Sequence, residues 1–281
     1  MLTSHHVSAT TRIRAAATLR VRDVLAGPVR AATVVHAGRD AVYLDVDSFC
    51  LGVLSRSATA VPCGLRTTLT SLADGLATPT PPGSRAQVGG GSLLLGDARL
   101  TVGRVVEASV PALPPAAARR AARTLAKVCP PLPHTREELP EAALRLLGDG
   151  DPAAVPLLLG RGSGLTPLGD DVLCGWLATV AAGVLGGHDP SGARPVAAAV
   201  AALAAHNTTT LSATLLDCAA RGEALPRFRR LVADLASADP GAAAGLTALL
   251  EVGHTSGHGL ALGLHLALDP LQRFPTERTL V

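Results

Sequence analysis

The sequence predicts an α+β protein. An antiparallel, β-rich N-terminal half, residues 1–110, is followed by an all-helical C-terminal half, residues 111–281, that carries the Gly-rich motifs. Three observations carry this reading. Between Val29 and Val110, short β-branched or alternating runs are separated by turn residues. Pro111, Pro114 and Pro115 then interrupt the chain. Beyond them, helix-length Ala/Leu stretches alternate with polar, glycine-containing loops.

Taken in order, residues 1–28 are weakly patterned, and Ile13–Leu25 predicts a short helix ended by Gly27-Pro28. Ala32–His36, Ala41–Val46 and Phe49–Leu54 predict strands, with turns at Gly38–Asp40 and Asp47-Ser48. Past a Thr/Pro/Gly loop, Ala86–Val88, Ser92–Leu95 and Arg99–Val102 predict three more, punctuated by Gly89–Gly91 and Gly96-Asp97. Tight turns between short strands imply antiparallel pairing and not βαβ crossovers. Helices are predicted over Ala116–Lys127, Glu137–Leu147, Ala153–Leu159, Asp171–Leu185, Pro195–Ala205, Leu211–Ala220, Pro226–Ala236, Ala242–Val252 and Leu260–Leu268.

Composition narrows the class. With 281 residues, 48% of them hydrophobic and 17% charged, the chain has ample material for a globular core. A formal net charge of +3 with scattered arginines predicts no nucleic-acid surface. Five cysteines, odd in number and without a CxxC pair, argue against a disulfide scaffold or zinc site and for a reducing compartment. The first residues lack the apolar segment of a signal peptide. Val172–Leu185 and Pro195–Ala205 are too short for a membrane span of ~20 residues. A soluble cytoplasmic protein with no membrane partner is expected.

The chemistry-bearing residues gather in three clusters. The first is Gly160-Arg-Gly-Ser-Gly-Leu-Thr-Pro-Leu-Gly-Asp-Asp171, which leads into an apolar run. Glycines let a ligand approach the backbone, and a helix starting there directs free N–H groups at it. The plainer alternative makes Asp170 or Asp171 a helix N-cap. The second cluster is His206-Asn-Thr-Thr-Thr-Leu-Ser212, with Asn207 or a threonine as N-cap and hydroxyls to spare for a phosphate or carboxylate. The third is Gly253-His-Thr-Ser-Gly-His-Gly259, which Gly257 and Gly259 mark as a loop. His254 there is a candidate general acid/base. No GxxxxGK[ST], GxSxG or Rossmann context is present, which excludes P-loop, nucleophile-elbow and dinucleotide readings.

These motifs resemble a bacterial family, long catalogued as a domain of unknown function, that includes the AllH-like subunit of oxamate carbamoyltransferase. Gly162–Asp171 is similar to its G-x-G-P-G-L-T-P-S-G-D-D core. Thr208–Ser212 followed by Ala220-Arg-Gly-Glu223 is similar to its T-T-x-x-S and A-x-x-G-E elements, and Gly253–Gly257 to its G-H-S-S-G. Ser163 and Leu168 stand where the family has proline and serine, and His258-Gly259 where it commonly has an aspartate. The resemblance implies a subunit working with other subunits, on oxalurate and phosphate, to give oxamate and carbamoyl phosphate in allantoin and purine breakdown.

Phosphate itself would attack, so the protein need only hold an anion, polarise the carbonyl and protonate the leaving amide. Gly162, Gly164, Thr166, Thr208, Thr209, Ser212 and Ser256 are the expected substrate-binding residues. Asp170 and Asp171 are expected to bind amide N–H groups or, alternatively, a magnesium ion. His254 is the expected proton donor. The alternative of another class is a non-catalytic scaffold or ligand-sensing subunit.

Overall fold

A computed structural model describes residues 11–76, 78–129, 132–183 and 193–273. The chain divides into two compact units, Met1–Glu107 and Ala108–Val281, each with its own hydrophobic core. The α+β class holds.

The first unit is a closed eight-stranded barrel. Its strands are β1 (Thr11–Ala17), β2 (Arg30–Ala37), β3 (Ala41–Val46), β4 (Phe49–Leu54), β5 (Gly64–Arg66), β6 (Arg85–Gly89), β7 (Ser92–Leu95) and β8 (Ala98–Val105). They close in the order β1-β5-β4-β3-β2-β6-β7-β8. Six of the pairings are antiparallel; β1 with β8 and β4 with β5 are parallel. Thr11–Ala17 is a strand where a helix was expected from Ile13. Its buried residues fall on alternate positions, Ile13, Ala15 and Ala17, which is the two-residue period of a strand with one face inward. The helix starts later, as α1 (Leu19–Ala26), capped by the Thr18 side chain. Asp47 and Ser48 both take positive φ, 51° and 68°, as the tight turn between β3 and β4 demands, and Asp45 accepts the Ser48 N–H at 2.8 Å. A short α2 (Leu72–Gly75) completes the unit.

The second unit is helical: α3 (Pro115–Val128), α4 (Pro133–Glu137), α5 (Glu141–Gly148), α6 (Val155–Leu158), α7 (Leu168–Ala181), α8 (Ala193–Asn207), α9 (Thr210–Ala220), α10 (Pro226–Ser237), α11 (Ala242–Leu250), α12 (Ser256–Leu268) and α13 (Pro270–Arg273). The predicted end of the helix at Leu185 lies outside the described residues. At its centre α7 packs against α12. Every residue of α7 from Leu168 to Val180 is buried, and so are most of α12. A helix that is apolar on all sides belongs in the interior.

Glycines set how closely these two helices meet. A Cβ on Gly175 of α7 would overlap the Leu260 carbonyl, and one on Gly263 of α12 would lie 2.6 Å from the Trp176 nitrogen. Gly257 and Gly259, expected in a loop, are therefore helical. A Cβ on Gly257 would overlap the Leu249 carbonyl, and one on Gly259 would lie 2.7 Å from Asp171 Cβ. Close packing offsets their poor helix propensity.

Candidate active site

The site forms where α7 begins. Pro167 is its N-cap residue, with no side-chain cap bond, so neither Asp170 nor Asp171 caps the helix. Both sit in its first turn, where the helix dipole favours a carboxylate. Gly160 precedes them with φ 72°, and its amide donates to Asp170 Oδ1 at 2.7 Å. The Thr208 hydroxyl donates to Asp170 Oδ2. Asp170 is fully buried, and burial raises its pKa against the hydrogen bonds of Thr208, Gly160 and Ser212. This carboxylate thus ties together the Gly-rich loop, the start of α7 and the segment linking α8 to α9.

Asp171 sits in different surroundings. It is only 5% exposed, and its buried Oδ2 has no hydrogen-bond partner. Burial pushes its pKa up to about 7; the Ser256 hydroxyl opposes the shift, the charge of Asp170 adds to it, and the Thr166 hydroxyl opposes it. Thr166 and Ser256 are themselves hydrogen-bonded at 2.9 Å, which joins the first cluster to the start of α12. Gly259 gives the Asp171 side chain its room. Cys174, one turn further along α7, is buried, and burial raises its pKa well above the usual thiol range, which disfavours the thiolate.

Thr209 is the N-cap of α9: its Oγ1 accepts the Ser212 N–H at 3.0 Å and donates to the Leu165 carbonyl at 2.6 Å. The first cluster is thereby bonded to the second through two threonines and to the third through Thr166. Gly162 and Gly164 lie in the exposed part of the loop. Ser212 is buried at the start of α9. His254 stands apart: it is exposed and makes no hydrogen bond among the described residues. Among the described residues no three His, Cys, Asp or Glu side chains gather as a metal-ligand set, and both Asp170 oxygens already accept protein hydrogen bonds.

Two participants were missed from sequence: the Leu165 carbonyl, which is backbone and carries no side-chain signal, and Gly259 as the space for Asp171. The spacing of Gly259 and Gly263, one helical turn apart, was the available sign of a close helix crossing.

Fold and site together define a two-unit α+β protein whose helical unit holds a buried carboxylate–hydroxyl cluster built at three helix starts. Residues 158–268 match the model of the family described as oxamate carbamoyltransferase subunit AllH, so this segment is similar to that family. The match covers all three motifs and stops short of the N-terminal half. No curated protein and no solved structure matches the chain. The family's description is of a subunit, which implies a complex with other subunits. No helix among the described residues is long and apolar enough to cross a membrane.

Proposed function

We propose that the chain is a subunit of an oxamate carbamoyltransferase-type complex that binds a small anionic carbamoyl or phosphate ligand in its helical unit. The observation that carries this reading is Asp171: a carboxylate with an unpartnered buried oxygen, held between the hydroxyls of two motifs, with a pKa near neutrality. A group half-protonated at pH 7 is suited to moving a proton in either direction.

In this reading, HPO4²⁻ attacks the carbamoyl carbon of oxalurate and the bond to the oxamate nitrogen breaks. Protonated Asp171 gives its proton to that nitrogen, and the resulting carboxylate takes up the proton the phosphate releases. The products are oxamate and carbamoyl phosphate. The Thr166 and Ser256 hydroxyls hold the reacting group, while amides at the starts of α7, α9 and α12 and of the Gly162–Gly164 loop favour its negative charge. Asp170, Thr208, Thr209 and Ser212 hold the loop and helix starts in place. The exposed His254 would meet only a bound ligand. Asp171 thus takes over the proton-donor role expected of His254.

The test is formation of carbamoyl phosphate from oxalurate and phosphate by the assembled complex. Asp171→Asn should reduce turnover by at least about 10²-fold without displacing the subunit from the complex, and His254→Ala should reduce it far less. Full activity of Asp171→Asn would exclude the carboxylate as the proton carrier. A scaffold or ligand-sensing role has one observation in its favour: Asp170, Thr208 and Thr209 are all engaged in bonds within the protein. It predicts that loss of the Thr208–Asp170 bond weakens complex assembly while Asp171→Asn leaves turnover intact.

A further inference from the structure

The N-terminal barrel carries a second feature, independent of the helical site. A concavity of about 560 Å³ is lined by Arg14, Arg56, Arg66, Arg104, Thr67 and Thr68, over a floor of Ala15, Ala16 and Gly103. Four arginines line it and no acidic residue does. All four arginines are exposed, and none is ion-paired among the described residues.

The barrel places these charges through its register. Ala16 on β1 pairs with Arg66 on β5 at one side and with Arg104 on β8 at the other. Residues directly opposite on adjacent strands share a face, so Arg66 and Arg104 flank the small Ala16 on one face, with Cα atoms about 10 Å apart. Arg14 lies on the same face of β1, two residues before Ala16. A bulge between Ala15 and Ala16 leaves Gly103 of β8 without a partner in the ladder. A Cβ on Gly103 would lie 3.2 Å from Arg14 Cβ and 3.3 Å from its Nε, so glycine there lets the Arg14 side chain lie across the strand. Arg66 is steadied by donating to the Arg56 carbonyl at 3.3 Å. Like charges on neighbouring strands repel. Four of them around a floor of small residues are compensated when an anion sits between them.

We propose that this concavity binds a compact polyanion of the phosphate class, inorganic or carried on a small metabolite. Guanidinium forks match phosphate oxygens in pairs, and a di- or triphosphate carries the several charges that four arginines would balance. The hollow has the size of a small-molecule pocket. A net charge of only +3 over the whole chain favours a small anion over a nucleic-acid backbone.

The experiment is calorimetric titration of the full chain with pyrophosphate, ADP and a single-stranded RNA oligonucleotide at two salt concentrations. Saturable, salt-weakened binding of pyrophosphate is expected, and Arg14→Gln and Arg104→Gln should each weaken it about tenfold. Arg14→Lys should fall between these variants and wild type, and unchanged circular dichroism of each variant establishes that it folds. Tighter binding of ADP than of pyrophosphate would assign the site to a nucleotide, and equal binding to the phosphate moiety alone; both support the proposal. Absence of saturable pyrophosphate binding, binding unmoved by the Arg→Gln changes, or RNA binding more tightly than pyrophosphate would each overturn it.

Discussion

Asp170 and Asp171 are neighbours in sequence and opposites in surroundings. Asp170 accepts protein donors at both oxygens, so Asp170→Ala leaves the half-buried Gly160 amide and Thr208 hydroxyl without this acceptor. That should cost about 3 kcal/mol, seen as a lower denaturation midpoint. Asp171 adds a pH dependence of its own. Its folded pKa, near 7, lies above the ordinary value of 3.8. Between those two values the folded chain holds more protons at this residue than the unfolded one, so stability falls as pH rises through the window. Asp171→Asn removes that dependence. It should match wild type near pH 3 and be more stable at pH 8, by up to about 4 kcal/mol. Urea unfolding at the two pH values checks this; an Asn variant less stable at pH 8 would contradict it. The sequence placed Asp170 and Asp171 in one cluster but could not tell them apart, because burial and the partner from a distant segment decide their chemistry. His254, an obvious acid/base in the sequence, is exposed because the turn before α12 faces outward.

At the scale of elements, strands with clear alternation and helices with long Ala/Leu runs were legible. β3 and β4 fall on the expected residues, and α10 and α11 nearly so. What the periodicity concealed has identifiable causes. β5 is three residues long, too short for any period to show. β1 alternates only over Ile13–Ala17, and its apolar residues run on into α1, so strand and helix read as one segment. The glycines at the start of α12 signal loop by propensity and helix by packing, and packing against α7 and α11 prevails. Gly263→Ala would drive a methyl group into the Val172 carbonyl and the Trp176 nitrogen. It should lower stability by roughly 3 kcal/mol, whereas Gly148→Ala, with open space at its Cβ, should be close to neutral. Thermal unfolding of the two variants side by side distinguishes a packing constraint from a general intolerance of alanine.

At the scale of the whole molecule, the two cores are separate sets of residues, Ile13 to Val102 in one and Val110 to Leu271 in the other. Residues 108–281 expressed alone should therefore fold cooperatively and keep the helical content of the unit, by circular dichroism and a single unfolding transition. The mixed pairing of the barrel was not legible, because strand order depends on how distant segments close and not on any local pattern. The division between a β-rich and a helical part was, because both periods persist over long stretches.

The crossing of α7 and α12 also bears on how the proposed ligand would enter. Where two backbones touch through glycine there is no layer of side chains to slide over, so these helices cannot shear apart without losing the core between them. Entry of the proposed ligand would then fall to the loop in front of them. Gly164, at φ 88° with nothing near its Cβ position, is a point in that loop where the backbone conformation itself calls for glycine.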